Sequence, residues 1–381
     1  MAHHARGQDD TIIVNTCAVT TTAERQARQA IRRAHRERPD AKIVVTGCAS
    51  AIDAKRWMEL PGVVRVVPNA DKLKPTTWGD SKPGLPPSRH ARALLQVQQG
   101  CDHRCTFCII PYGRGDSRST PTTEAISRAR ALTEAGHREI VLTGVDIASW
   151  QGTDGEGLGL MCRTLLQDVP AIERLRLSSI DPVILDPETG DRDLWWLLEN
   201  EPRLMPHLHL SLQAGSDLIL KRMKRRHTTT QVASMLQHAR ALRPNIGVGA
   251  DLIAGSPTET DTLFNETLSF IEKQAIPFLH VFPYSERPGT PAARMPAVPN
   301  GERQARAAQL RAVGEANRDT FLEKFVGQTV NVLIETPDRG HSPEFAPVRF
   351  AADASPAVRG SIIPLSIYSV SEGHLLGRSP A

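Results

Sequence analysis

The sequence predicts an α/β protein in three parts: a small doubly wound N-terminal domain, a partial (βα)6 barrel, and a small C-terminal β-barrel. Three observations predict it. Short runs of Val, Ile and Leu alternate with helical patterns through most of the 381 residues, the order that builds parallel sheets. A proline- and glycine-rich stretch, "KPTTWGDSKPGLPPSRH" (74–90), divides the first such run from the second. Beyond residue 323 the helical patterns stop, and short strand-like segments joined by polar turns follow.

In the first part (1–73), "TIIVNTC" (11–17), "KIVVTGC" (42–48) and "VVRVVP" (63–68) read as strands. "AERQARQAIRRAH" (23–35) reads as a helix with Ala23, Ala27, Ala30, Ile31 and Ala34 on one face. Thr21 or Thr22 is expected to cap it. Cys17 and Cys48 each follow a strand, at the sheet edge where open parallel sheets bind ligands. After the linker (74–90), residues 91–323 repeat a strand-then-helix unit. The strands are "ALLQVQQ" (93–99), "EIVLTGV" (139–145), "RLRLSS" (174–179), "HLHLSLQ" (207–213), "IGVGADLIA" (246–254) and "FLHVFPYS" (278–285). Six units fall short of a full eight-unit barrel. The last part (324–381) holds "QTVNVLIET", "APVRFAA" and "GSIIPLSIYSV", a β-barrel of oligonucleotide-binding size. Its five Lys/Arg are balanced by five Asp/Glu.

With 40% apolar and 23% charged residues the composition is that of a soluble globular protein. No apolar run reaches the roughly 18 residues that span a bilayer, and "MAHHARGQDD" has no apolar signal core. A cytoplasmic protein without membrane partners is expected. Net charge is only +4, but bases cluster in 25–42 and in "KRMKRRH" (221–227). Such clusters suit phosphate backbones, or else form solvated helix faces.

Three of the six cysteines, Cys101, Cys105 and Cys108, lie in "QQGCDHRCTFCIIPYGRG" at C-x3-C-x2-C spacing. Structural zinc wants four ligands and usually takes two cysteine pairs. His103 between the thiols is a weaker route to a fourth ligand than iron–sulfur chemistry is to the whole pattern. Other polar residues fall after the carboxyl ends of the barrel strands: Thr143, Gly144 and Asp146, then Ser178 and Ser179, Gln213, Gly255 and Glu259. A barrel would gather these on its catalytic face. Cys162 sits in an apolar helical pattern and reads as a buried structural thiol. His207 and His209 alternate with leucines and read as structural.

The cysteine pattern after a first strand resembles the radical S-adenosylmethionine (SAM) superfamily. In order, "VNTCAVTTTAERQARQAIRR", "VVTGCAS", "CDHRCTFCIIPYGRGDSRS", "IVLTGVDIASWQG", "LRLSSIDP", "HLSLQAGSDLILKRMKRRHT" and "GADLIAGSPTET" are similar to the methylthiotransferases of that superfamily. The resemblance implies an N-terminal methylthiotransferase domain, a radical SAM core and a C-terminal TRAM domain. It implies a 4Fe–4S cluster on Cys101, Cys105 and Cys108 whose open iron chelates SAM. Reductive cleavage there gives a 5′-deoxyadenosyl radical, with the electron from an external donor. It implies an auxiliary 4Fe–4S cluster involving Cys17 and Cys48. Thr143, Gly144, Asp146, Ser178, Gln213 and Asp251 become candidate SAM contacts.

Within the family, "NTCAVT" and "CIIPYGRGDSRS" look most like the branch acting on C2 of N6-threonylcarbamoyladenosine at position 37 of the tRNA anticodon loop. The isopentenyladenosine-37 and ribosomal-protein branches are the alternatives. One departure stands out. The family holds the auxiliary cluster with three cysteines, and none precedes Cys17 here. The first strand and helix are expected to be missing as well, leaving a sheet edge open. Two readings compete: a start codon set too far downstream, with a Gly-Cys motif encoded in frame above it, or a real loss of the site. The first is preferred. The second would leave a catalytically defective iron–sulfur or RNA-binding protein.

Overall fold

β2 (Thr11–Thr16), β3 (Lys42–Gly47) and β4 (Val63–Val67) pair in parallel, as their uninterrupted β-branched runs require. The computed structural model describes residues 2–4, 10–72, 74–78, 90–350 and 358–380; most of the linker, 79–89, lies outside them. The expected open edge of β2 carries a short strand, β1 (Ala2–His4), in antiparallel register. α1 (Thr21–Glu37) lies between β2 and β3 and seats Ile31 in the core with Ile12, Ile43 and Val45. Its cap is Thr20, not Thr21 or Thr22: the Thr20 hydroxyl accepts the Ala23 N–H at 3.1 Å. Thr20 alone has the extended backbone a cap needs, because the helix already includes the next two residues. Two short helices, α2 (Cys48–Ile52) and α3 (Ala54–Met58), complete this part.

The described residues divide into two compact units. The first joins the N-terminal part to 100–117 and 285–296, and the second contains 87–99, 118–284 and 297–381. In the first unit the cysteine loop ends in α4 (Ile110–Arg114), and Ile109 joins the N-terminal core.

In the second unit, β5 (Arg92–Gln96), β8 (Glu139–Thr143) and β9 (Arg174–Leu177) form one parallel sheet. β10 (His207–Gln213), β11 (Gly247–Ala254) and β12 (Phe278–Pro283) form another. Parallel bridges Leu175↔Leu204 and Ile180↔Leu210 join them, so six strands make the predicted partial barrel. A two-residue ribbon, β6 (Gln98–Gln99) with β7 (Arg118–Ser119), follows β5. Helices α5 (Thr122–Glu134), α6 (Leu158–Asp168), α7 (Arg192–Asn200), α8 (Asp217–Arg222), α9 (Thr229–Leu242), α10 (Asp261–Gln274) and α11 (Asn300–Glu323) alternate with the strands. One continuous core runs from Ala93 to Leu310. Cys162 lies fully buried in it, as expected, and burial pushes its thiol far above the usual range.

The chain ends in a closed barrel of β13 (Thr329–Thr336), β14 (Arg339–His341), β15 (Pro347–Phe350), β16 (Ile362–Ser371) and β17 (His374–Arg378). It is tied to the base of the six-stranded part by a buried ion cluster. Glu139 is fully buried and lies 2.7 Å from Arg92 and 2.8 Å from Arg176. Arg92 also pairs with Glu335 of β13. Arg174 donates to the Asn331 carbonyl at 2.7 Å and Arg176 to the Pro343 carbonyl at 3.0 Å. Burial pushes the Glu139 carboxyl up, but the Arg176 and Arg92 charges outweigh it and keep it ionised. Among the described residues no helix is long and apolar enough to cross a membrane.

Candidate active site

The first unit assembles five cysteines, none of them in a disulfide. Thr16 pairs with Gly47, so Cys17 and Cys48 leave the carboxyl ends of adjacent strands. Gly47 has φ +109, and a Cβ there would lie 2.2 Å from the Thr16 carbonyl oxygen. Only glycine lets the two strand ends come this close. Cys17 is exposed and Cys48 buried.

Cys101, Cys105 and Cys108 sit on a closed loop. Gly100 opens it at φ +75, where a Cβ would meet the Asp116 carbonyl at 1.8 Å. The Cys101 N–H donates to the Gly115 carbonyl at 3.0 Å, and the Cys108 N–H to the Cys105 carbonyl at 3.0 Å. Asp102 accepts the Ser117 N–H at 2.9 Å, and Arg104 donates to the Cys101 carbonyl at 3.0 Å. These bonds close the loop on itself. His103 contributes its carbonyl to Arg104 at 3.2 Å.

The two cysteine sets meet through α4. A Cβ on Gly113 would lie 2.9 Å from the Cys48 carbonyl oxygen, so the glycine permits close docking. Asn69 donates to the Gly113 carbonyl at 2.5 Å, and Arg114 Nε donates to Cys48 Sγ at 2.8 Å. Lys72 stands near both. Burial and the Arg114 charge push its amine down, against the pull of Cys48.

In the second unit, Thr143 closes β8 and Gly144 passes tightly over Gln98. Gln98 Oε1 accepts the N–H groups of Val145 and Asp146 at 2.9 and 2.8 Å. Asp146 accepts the Ser149 hydroxyl at 2.6 Å. Gln213 ends β10 with φ +72, beside a register irregularity; strain at a non-glycine strand end is a mark of functional sites. Ser178 donates its N–H to Leu142. The neighbouring Ser179 is the one that reaches Asp251, at 3.2 Å, and it also bonds Ser211 at 2.8 Å. Glu259 accepts from Gly255 N–H at 2.9 Å and pairs with Arg306 at 3.0 Å, which gives both residues a structural task.

Two groups depart from the sequence reading. His209 has a polar partner that its strand pattern did not announce: its Nε2 lies 3.0 Å from Asp251 Oδ1, and His280 Nδ1 lies 3.3 Å from the same oxygen. His207 is buried against Phe345 and held neutral by burial and the Arg176 charge. The 221–227 basic cluster is partly internal, since Arg225 and Arg226 pair with Asp181 at 3.0 and 3.3 Å. On α1, by contrast, Arg25, Arg32, Arg33 and Arg36 are exposed.

Residues 95–271 match the radical SAM superfamily, and residues 2–68 match "Uncharacterized protein family UPF0004". Among solved structures, the fold is similar to the radical SAM methyltransferase TsrM of Kitasatospora setae. That match has a TM-score of 0.56 at 13% identity, over 74% of this chain and 65% of TsrM. It is also similar to the cobalamin-dependent radical SAM enzyme OxsB, with a TM-score of 0.51 at 12% identity, over 80% of this chain and 48% of that one. Fold and cysteine loop together define a radical SAM enzyme, with the 4Fe–4S cluster and SAM that this class uses. Three thiols on one short loop fit a cubane with one open iron.

The relatives narrow the class. "Threonylcarbamoyladenosine tRNA methylthiotransferase MtaB" of Rickettsia prowazekii is 42% identical over 389 residues, covering 97% of this chain and 90% of that protein. The protein of the same name from Bacillus subtilis is 34% identical, over 86% of this chain and 76% of its own length. "tRNA-2-methylthio-N(6)-dimethylallyladenosine synthase" of Cereibacter sphaeroides is 34% identical, over 87% of this chain and 80% of that protein. The chain belongs to the radical SAM tRNA methylthiotransferase family.

Proposed function

We propose that this enzyme inserts a methylthio group at C2 of N6-threonylcarbamoyladenosine at position 37 of tRNA. The carrying observation is the 42% identity over 97% of the chain to a protein named for that substrate. The dimethylallyladenosine reading rests on the lower 34% match.

In this reading Cys101, Cys105 and Cys108 hold the SAM-cleaving cluster, fixed by the Cys101–Gly115 tie. Cys17 and Cys48 are two ligands of an auxiliary cluster; residues 1–16 contain no third cysteine. When bound, the cluster and SAM supply the radical needed at an adenine C2 that offers neither an acidic proton nor a leaving group. Thr143, Gly144 and Asp146, backed by Gln98, together with Ser178, Gln213 and Asp251, line the SAM position at the strand ends. Arg114 sets Cys48 against the three-thiol loop. Residues 1–73 act as the methylthiotransferase domain, 91–323 as the radical SAM core and 324–381 as a TRAM-like RNA-binding barrel. The anticodon loop presents its base single-stranded. An external donor supplies electrons, and the enzyme works in the cytoplasm.

Nucleoside mass spectrometry on tRNA from a deletion strain tests the assignment. Loss of 2-methylthio-N6-threonylcarbamoyladenosine, with its unmethylthiolated precursor accumulating, is expected. An unchanged level contradicts it.

A further inference from the structure

His209, Ser211 and Gln213 are the half-buried positions of β10, set between buried Leu208, Leu210 and Leu212, with a register irregularity between Leu210 and Gln213. His209 lies four residues, at most about 13 Å of strand, before Gln213, the proposed SAM contact. Neighbouring strands add to these polar positions. Ser179 bonds Ser211 and Asp251, and Asp251 receives His209 and His280. The His280 side chain is 62% exposed. Its Nδ1 is turned to Asp251, and its Nε2 has no hydrogen-bond partner among the described residues.

His209 and His280 also border a cavity of about 390 Å³, within the size range of small-ligand sites (roughly 300–1,000 Å³). Arg311, Arg318, His341 and His374 line it as well, and Glu315 is the one acidic residue among its described lining. Phe278 and Phe345 supply apolar wall. The Asp251 hydrogen bond raises the proton affinity of His280, so this imidazole tends toward a cation.

We propose that His280, with His209, Ser179 and Ser211 organised around Asp251, forms the subsite for a polar, carboxylate-bearing substituent on N6 of the target adenine. The inference rests on the threonylcarbamoyladenosine reading and says how that substrate is told from a prenylated one. C6, which carries N6, and C2 flank the same ring nitrogen, so a base presented at the strand ends through C2 directs its N6 group along the adjoining face. A threonylcarbamoyl group offers urea N–H and C=O groups, a hydroxyl and a carboxylate to match hydroxyls and a cationic imidazole. A dimethylallyl group would bury the same side chains without partners, at a cost in binding. Asp251 holds the imidazoles, lying 3.0 Å from His209 and 3.3 Å from His280.

The test uses the reconstituted holoenzyme and two anticodon stem-loop RNAs, one with N6-threonylcarbamoyladenosine and one with its carboxyl methyl ester. A charge-assisted hydrogen bond gives the wild type a preference for the free acid of roughly ten- to hundredfold in kcat/KM. His280→Leu should lose most of that preference, and His280→Lys, which keeps a cation, should retain part of it. Equal acid-to-ester preference in wild type and His280→Leu would overturn the inference while leaving the function standing. Failure of the wild type to modify the free-acid RNA would instead overturn the functional reading, and the subsite with it. A stoichiometric metal other than iron that disappears in His280→Leu would also overturn the subsite, because the imidazoles would then be ligands.

Discussion

Arg114 donates its Nε–H to the sulfur of Cys48 across 2.8 Å. The donor lies six residues beyond Cys108 on α4, and the acceptor opens α2 at the end of β3. One side chain therefore couples the three-thiol loop to the strand-end cysteine. Arg114→Met keeps the length and removes the donor. It should destabilise the protein by about 1–2 kcal/mol, read as a lower urea midpoint, and should reduce iron content after reconstitution. An unchanged midpoint together with full iron occupancy would show that the contact holds nothing in place.

The cysteines separate by role. Serine at Cys101, Cys105 or Cys108 should remove about four irons per chain and abolish reductive SAM cleavage. Serine at Cys17 or Cys48 should lower iron while leaving SAM cleavage measurable. Cys162→Ala, inside the core, should change neither. Iron analysis and 5′-deoxyadenosine release decide among these, and SAM cleavage surviving in Cys105→Ser would contradict the assignment.

Glu139 is the hub of three guanidiniums, Arg92, Arg174 and Arg176. Its removal leaves like charges buried together. Glu139→Gln should cost roughly 3–5 kcal/mol and loosen the C-terminal barrel, read by hydrogen exchange in β13. Uniform protection of β13 in the variant would mean that the arginine–carbonyl bonds suffice alone.

Acid should release the same joint. Burial pushes the Glu335 carboxyl up, but the His341 hydrogen bond and the Arg92 charge prevail and hold it at about 2. A folded value below the ordinary value of about 4.3 means that the unfolded chain binds the proton more readily. This contribution is complete above about pH 4.3 and is lost as pH falls toward 2. Unfolding midpoints should therefore drop across that window, and less steeply in Glu335→Gln. Identical slopes in both proteins would remove Glu335 from the account.

Local pattern made much of this legible. β10 coincides with the alternation of "HLHLSLQ" at 207–213, and the radical SAM match agrees with the class that the C-x3-C-x2-C spacing suggests. Strands β14 and β17 were missed because three- and five-residue segments carry too little periodicity. The His209–Asp251–His280 network was missed for another reason. Each histidine alternates with apolar residues in its own strand, but their meeting depends on the registers His209↔Gly249 and Asp251↔His280, which no single segment encodes. The tie from Arg114 to Cys48 spans 66 residues and is likewise non-local. The alternation in "HLHLSLQ" sets His209 and Ser211 apart from the buried leucines, a signal that reading His209 as structural passes over.

The central claim is tested most directly by turnover. The reconstituted protein is given SAM, a reductant, a sulfur source and either of two anticodon stem-loop RNAs, bearing N6-threonylcarbamoyladenosine or N6-dimethylallyladenosine at position 37. Mass spectrometry should find the methylthio group at C2 of the first and little on the second. Methylthiolation confined to the dimethylallyl RNA would contradict the account.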